Sequence, residues 1–316
     1  MESRSIGSLS VSRVGLGCNN FGRKLDQTDS TSVVNAALEA GVTFFDTADA
    51  YGQGDQDFSG RGTSEEFLGT ALGARRPNAV IATKFGLPMS DSDETMRGGG
   101  AAWVKEACEG SLRRLGTDYI DLFQLHFPDE STDISETLGA LNELVVEGKV
   151  LEIGCSNFSA EQLREAAAVS STNGSAALRS GSNEYSLLRR EVEADVLPAC
   201  SALEMSFLPF FPLASGLLTG KYAKGAPAPE GTRLAVWQPR EHQTLDDDVL
   251  DHVERLSKVA AQSGHSILEL AFSWLLARPQ VASVIAGATS PDQIRANVAA
   301  ASWDLSDDEL AAVDAV

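Results

Sequence analysis

Cysteine is scarce in this chain. Cys18, Cys108, Cys155 and Cys200 are the four in 316 residues, and no two stand at CxxC spacing. A disulfide framework or a cysteine zinc site is therefore not expected. Histidine is equally rare. His126, His242, His252 and His265 form neither HxH nor HExxH, which disfavours a metal-dependent barrel hydrolase and assigns no metal. Apolar runs long enough to cross a bilayer are missing, and the start Met1-Glu2-Ser3-Arg4 lacks the apolar segment of a secretion signal. The expected compartment is the cytoplasm. Positive charge is also short. Lys and Arg total 25 against 45 Asp and Glu, a net charge of −20. Such a surface repels phosphate backbones and anionic headgroups, so no nucleic-acid or membrane partner is expected. A local basic patch inside a cleft remains compatible with it.

Three familiar signatures fail. Gly15-Leu16-Gly17-Cys18-Asn19-Asn20 has Asn where a Rossmann fingerprint needs its third glycine. Gly216 to Lys221 resembles a phosphate loop, but Tyr222 follows where Ser or Thr should bind magnesium. GxSxG does not occur.

What is present is an alternation. Eight short apolar runs read as strands buried on both faces: 14–18, 42–46, 79–84, 120–125, 150–155, 177–182, 206–210 and 281–286. Helical stripes lie between them. Val33, Val34, Ala37 and Leu38 form one, stopped at Gly41; Leu138, Leu141, Leu144 and Val145 form another, stopped at Gly148. Val249, Leu250, Val253, Leu256 and Val259 form a third, and Asp246-Asp247-Asp248 suits its N-terminus. With 43% hydrophobic residues and no linker, the pattern predicts one α/β domain over residues 1–316. A (β/α)8 TIM barrel fits best, with an open doubly wound sheet as the rival. Residues 4–12, centred on Gly7-Ser8, predict a short N-terminal β-hairpin. Polar stretches at 52–64, 86–101 and 221–245 read as long loops of the functional kind.

In a barrel, chemistry gathers at the C-terminal ends of the strands. Asp46, Lys84 and His126 end three successive predicted strands, and Tyr51 follows Asp46 in the loop. Singly, they also read as a helix cap, a snorkelling lysine, a core histidine and a surface ring. A lysine closing a buried apolar strand needs a partner, because an unpaired buried charge is costly. Asp46 is the obvious one.

Several further segments make the pattern specific. They are Asp46-Thr47-Ala48-Asp49-Ala50-Tyr51-Gly52, Thr83-Lys84-Phe85-Gly86, Leu125-His126, Gly154-Cys155-Ser156-Asn157-Phe158 and Asn183-Glu184-Tyr185-Ser186. Pro212 to Tyr222 and Gly287-Ala288-Thr289-Ser290 complete the set. Over nearly its whole length the chain resembles the aldo-keto reductase family. The resemblance implies a (β/α)8 barrel that binds NADPH (NADP, with NADH less expected) without a Rossmann domain. It implies reduction of a small-molecule aldehyde or ketone by the tetrad Asp46, Tyr51, Lys84 and His126. Tyr51 would be the proton donor. A free phenol, with a pKa of about 10, is a poor acid near neutrality, and Lys84 would lower that value. His126 would orient the carbonyl.

The same resemblance implies the cofactor contacts. Ser156 and Asn157 would hold the nicotinamide carboxamide, with Ser182 beside them, and Phe210 would stack. Leu213, Ser215 and Leu217 would line the pyrophosphate. Lys221 and Arg233 would clamp the phosphates, and Gly287, Thr289, Gln293 and Asn297 would hold the adenosine end. Two departures stand out. Gly181-Ser182 replaces the family's usual Val-Gln, so looser nicotinamide binding is expected, since serine is too short to replace the glutamine amide. Gly287-Ala288 replaces a Lys-Ser pair used on the 2′-phosphate, which leaves the preference for NADPH to Lys221, Arg233 and Gln293. Phe21, Phe85, Phe127 and Trp237 are candidate apolar walls. With no long tail beyond the 307–316 helix to cover the mouth, an open pocket is expected. The alternative function is a slow-turnover nucleotide-sensing subunit, like the barrel proteins that attach to potassium channels.

Overall fold

The computed structural model describes residues 1–53, 58–236 and 245–316. Trp237, His242 and parts of the 52–64 and 221–245 loops lie outside them. The chain opens with the hairpin β1 (Ser3–Ile6) and β2 (Leu9–Ser12), paired antiparallel with Ile6 opposite Leu9. Gly7 takes a φ of +55° at the turn, a conformation that glycine adopts without a Cβ clash.

Eight parallel strands follow. They are β3 (Val14–Gly17), β4 (Phe44–Asp46), β7 (Val80–Phe85), β8 (Ile120–Leu125), β9 (Val150–Ser156), β10 (Leu178–Ser182), β11 (Ser206–Phe207) and β12 (Val284–Gly287). A two-residue ribbon, β5 (Gly52–Gln53) with β6 (Gly60–Arg61), lies in the loop after β4. The sheet order is β11-β10-β9-β8-β7-β4-β3-β12. It closes on itself where the Phe207 N–H donates to Gln280 O at 2.7 Å and the Ala282 N–H donates to Phe207 O at 3.0 Å. The fold is thus a (β/α)8 barrel with an N-terminal hairpin.

Helices cover the outer face: α1 (Gln27–Glu39), α2 (Thr63–Leu72), α3 (Ala101–Leu115), α4 (Ile134–Val146), α5 (Ala160–Asn173) and α6 (Val196–Ala202). The short α7 (Arg233–Val236) precedes α8 (Asp247–Gln262), α9 (Ile267–Leu276), α10 (Pro291–Ala300) and α11 (Asp307–Asp314). The three stripes read from the sequence are α1, α4 and α8.

Side-chain alternation sorts the core into two clusters. Phe44, Ala82, Leu122, Leu208, Ala282 and Ile285 point into the barrel and pack with Ile6, Leu9 and Val11 of the hairpin. Their sequence neighbours Phe45, Ile81 and Phe123 face the helices. The hairpin sits at the N-terminal ends of the strands. Arg4 donates to Leu276 O at 2.7 Å, and the Ser8 N–H donates to Glu152 at 2.6 Å. It therefore plugs the floor and leaves the opposite rim open for chemistry.

Candidate active site

The rim is assembled from strand ends. Asp46 ends β4, Lys84 is the penultimate residue of β7, and His126 directly follows β8. The Lys84 ammonium donates to Asp46 Oδ1 at 2.7 Å, to Asp46 Oδ2 at 2.8 Å and to Thr47 O at 2.9 Å. Tyr51 lies in the β4–α2 loop, and its carbonyl accepts from the Gly62 and Ser64 N–H groups at 3.1 and 3.2 Å. The N-terminal turn of α2, whose N–H groups lack helical partners, thereby holds the tyrosine in place. Lys84 Nζ is 5.1 Å from the centre of the Tyr51 ring, and the Tyr51 and His126 rings meet edge-on at 5.7 Å. Phe127 stacks on His126 at 5.4 Å.

A buried polar layer supports this group. Fully buried Glu65 of α2 accepts from Thr83 Oγ1 at 2.5 Å and from Arg114 at 2.7 Å. This ties the helix behind Tyr51 to the strand that carries Lys84. The Thr47 and Ser64 hydroxyls lie 2.8 Å apart.

Electrostatics set the protonation states. Burial raises the Asp46 carboxyl, while the charge and hydrogen bonds of Lys84 pull it down. Burial works against the Lys84 ammonium, yet Asp46 and Tyr51 outweigh it and raise its pKa. The ammonium is charged at neutral pH, with both Asp46 oxygens as its partners. Burial pushes the Tyr51 phenol above its ordinary value, and Lys84, as a nearby charge and hydrogen-bond partner, opposes that only in part. The expected lowering by Lys84 is present, but desolvation outweighs it, and the phenol stays protonated at neutral pH. Burial, then the charges of Lys84 and Arg61, hold the His126 imidazole well below its usual range. It is therefore neutral at pH 7.

These residues open into a cleft of about 850 Å³, at the upper end of the ~300–1,000 Å³ typical of ligand clefts. Ser156, Asn157, Ser182, Phe210, Leu213, Ser215, Lys221, Arg233, Gly287, Thr289, Gln293 and Asn297 all line it. Leu217 does not. It is 1% exposed and packed in the core, because the 3-10 turn at 214–219 turns that apolar side chain inward. Of the candidate apolar walls, Phe127 lines the cleft, whereas Phe21 and Phe85 are fully buried. Asn19, Asn20, Arg23, Lys24 and Arg61 line it without having been singled out in the sequence. The signal for Arg23-Lys24 was a basic pair just beyond the end of a predicted strand.

Local geometry limits what each group can offer. The Asn157 amide, at φ +64°, donates to His126 O at 2.9 Å and to Ser156 Oγ at 3.0 Å, which leaves its oxygen for a ligand. The Ser182 hydroxyl donates to Leu208 O at 2.8 Å. Asn297 Nδ2 is buried and has no partner among the described residues. Phe211, Ala214, Ser215 and Gly216 all have positive φ, so this loop is a strained turn beside the cleft. At Gly216 (φ +94°) a Cβ would also stand 2.5 Å from Lys221 Nζ. An orphaned amide, one free amide oxygen and several cations along one cleft suit a dinucleotide, with amide, aromatic and phosphate parts.

A family model described as the aldo/keto reductase family matches residues 13–316. An aldo-keto reductase of Bacillus subtilis (strain 168), YhdN, is 35% identical over 98% of this chain and 91% of its own length. A probable voltage-gated potassium channel subunit beta of Oryza sativa subsp. japonica is 35% identical over 95% of this chain and 91% of its own. A probable aldo-keto reductase 1 of Glycine max is 32% identical over 95% of this chain and 84% of its own. No helix among the described residues is long and apolar enough to cross a membrane.

Proposed function

Because the chain belongs to the aldo/keto reductase family, a family of oxidoreductases that use nicotinamide cofactors on carbonyl substrates, we propose that it is an NADPH-dependent reductase of aldehydes or ketones with Tyr51 as proton donor. One observation carries this reading. A buried lysine, held by both oxygens of Asp46, sits beneath a protonated tyrosine and a neutral histidine at the mouth of a large cleft.

When bound, the cofactor supplies the hydride. Tyr51 delivers a proton to the carbonyl oxygen and becomes a phenolate. Lys84 stabilises that phenolate, and Asp46 keeps the ammonium charged and aimed. His126, being neutral, donates a hydrogen bond to the carbonyl oxygen and fixes its orientation. Ser156 and the Asn157 oxygen would hold the carboxamide, with Ser182 beside them, and Phe210 would stack on the ring. Leu213 and Ser215 would flank the pyrophosphate, Lys221 and Arg233 would take phosphate charge, and Gly287, Thr289, Gln293 and Asn297 would hold the adenosine. The protein works as one domain in the cytoplasm.

The name of the rice relative favours a second reading, a nucleotide-sensing subunit with slow turnover. A panel of small aldehydes mixed with protein and NADPH separates the two. Loss of NADPH absorbance at ordinary enzyme rates, about 1–1,000 per second, supports the reductase. Tight NADPH binding without turnover on any aldehyde supports the subunit.

A further inference from the structure

Tyr51 is held from behind, and the wall that holds it contains two acids that the proposed reaction does not use. Asp49, 1% exposed, lies just before Tyr51 in the β4–α2 loop, and its N–H donates to Lys84 O at 3.0 Å. Glu65, 0% exposed, lies in the first turn of α2, whose Ser64 N–H, with that of the N-cap Gly62, grips the Tyr51 carbonyl. Glu65 also accepts from Thr83 Oγ1 at 2.5 Å, on the residue before Lys84 in β7. Each acid is thus joined to both the phenol and the ammonium of the site.

The two acids are unequally partnered. Arg114 of α3 donates through Nε to Glu65 at 2.7 Å. Its stem runs past Gly62, where a Cβ would stand 2.4 Å from Arg114 Cδ, so the guanidinium is engaged at the very turn that grips Tyr51. Both carboxyl oxygens of Asp49 are buried without a hydrogen-bond partner among the described residues. The charged groups facing Asp49 are Glu65 from α2, Arg114 from α3 and Arg61 from β6. Burial first and the Glu65 charge second push the Asp49 carboxyl well above the ordinary carboxylate range; Arg114, the Ala50 N–H and Arg61 pull it back only in part. A buried acid without a partner is less costly neutral than charged. Two carboxyls placed in this way titrate as a unit, and the second charge is much harder to form than the first.

Resting on the reductase reading, we propose that Asp49 and Glu65 are positioning residues that keep one negative charge between them, with the proton on Asp49, and so seat Tyr51 over Lys84. Neither acid touches the reacting atoms. A second charge in this wall repels Glu65, competes with it for Arg114 and loosens the α2 turn that grips the Tyr51 carbonyl. Reduction then loses rate as pH rises, through the carboxyl pair and before the phenol itself titrates.

The test follows single-turnover reduction of a neutral aldehyde by pre-bound NADPH, from about pH 6 to about pH 10, in wild type, Asp49→Asn and Glu65→Gln. Wild type should show an alkaline limb that falls by up to about tenfold per pH unit. Either variant should flatten that limb, because a wall with one carboxyl never carries two charges. Its rate at neutral pH should stay within about threefold of wild type, and its NADPH Kd within about twofold. Two variants are used so that one which fails to fold does not end the test. The urea midpoint gives a readout without turnover. A carboxyl raised in the folded state costs stability as pH climbs past its unfolded value of about 3.9. Asp49→Asn should therefore gain on wild type as pH rises from about 4 to about 8. A wild type without an alkaline limb, a limb unchanged in both variants, or a stability difference that does not vary with pH would overturn the proposal. So would a loss that falls on the NADPH Kd rather than on the rate. A wild type that reduces no aldehyde overturns the reductase reading, and the midpoint still decides the charge state of the pair. An active wild type whose variants keep its limb sinks the pair alone.

Discussion

Lys84 is 3% exposed, and its geometry explains how an ammonium persists there. Both Asp46 oxygens and the Thr47 carbonyl accept from it, and Tyr51 is its further hydrogen-bond partner. Removing the carboxylate would leave a buried charge unpaired, which is the costly half of such a pair. Ser182 presents the opposite situation. Its hydroxyl donates to Leu208 O at 2.8 Å, and its side chain ends short of the space where a longer amide would reach a ligand. Ser182→Gln, on this reasoning, tightens NADPH binding by about threefold to tenfold, the range for one net hydrogen bond of ~0.5–1.5 kcal/mol. Equilibrium titration checks it, and an unchanged or weaker Kd would contradict the reading of Ser182 as a loosened contact.

At the scale of elements, the site depends on helix starts. The loop carrying Ser156 and Asn157 runs directly into α5, whose N-cap Ser159 accepts from the Gln162 N–H while the Gln162 side chain accepts from the Ser159 N–H. Ser159→Ala removes half of this reciprocal pair. It should lower stability by about 1 kcal/mol, read from the urea midpoint, with kcat little changed. A loss of several kcal/mol would mean that the cap does more than start the helix. Much at this scale was legible in the sequence. Runs rich in Val, Ile, Leu and Phe marked most of the barrel strands, because parallel strands are covered on both faces, whereas β10, Leu178–Ser182, has only one such residue. Boundaries were less legible. β11 was expected over 206–210 but ends at Phe207, two residues before Pro209, which has no N–H to extend the ladder. β12 was expected from 281 but begins at Val284, because Val281 instead bridges across the closure to Phe207. Leu217 was misplaced because periodicity is no guide inside a 3-10 turn with left-handed residues. Arg23 and Lys24 were overlooked because a basic pair in a loop carries no period. Only the closed barrel brings them into one cleft with Lys221 and Arg233.

At the scale of the molecule, the barrel separates stability from chemistry. The hairpin and the inward cluster of Phe44, Ala82 and Leu122 occupy the floor. At the other end His126 Nδ1 and Asn297 Nδ2 are buried without a partner among the described residues. The negative surface and the cationic cleft act together, since the one discourages indiscriminate polyanions while the other concentrates a small phosphate-bearing ligand. In the proposed reaction binding is distributed over many strand ends, whereas proton delivery rests on a single phenol. The most direct test of this division is Tyr51→Phe, with NADPH affinity and single-turnover reduction of a reactive aldehyde measured on the same preparation. The account predicts an NADPH Kd within about twofold of wild type and a reduction rate lower by about 10²–10⁴-fold, the usual contribution of a positioned proton donor. Reduction at near wild-type rate by the phenylalanine variant would contradict it.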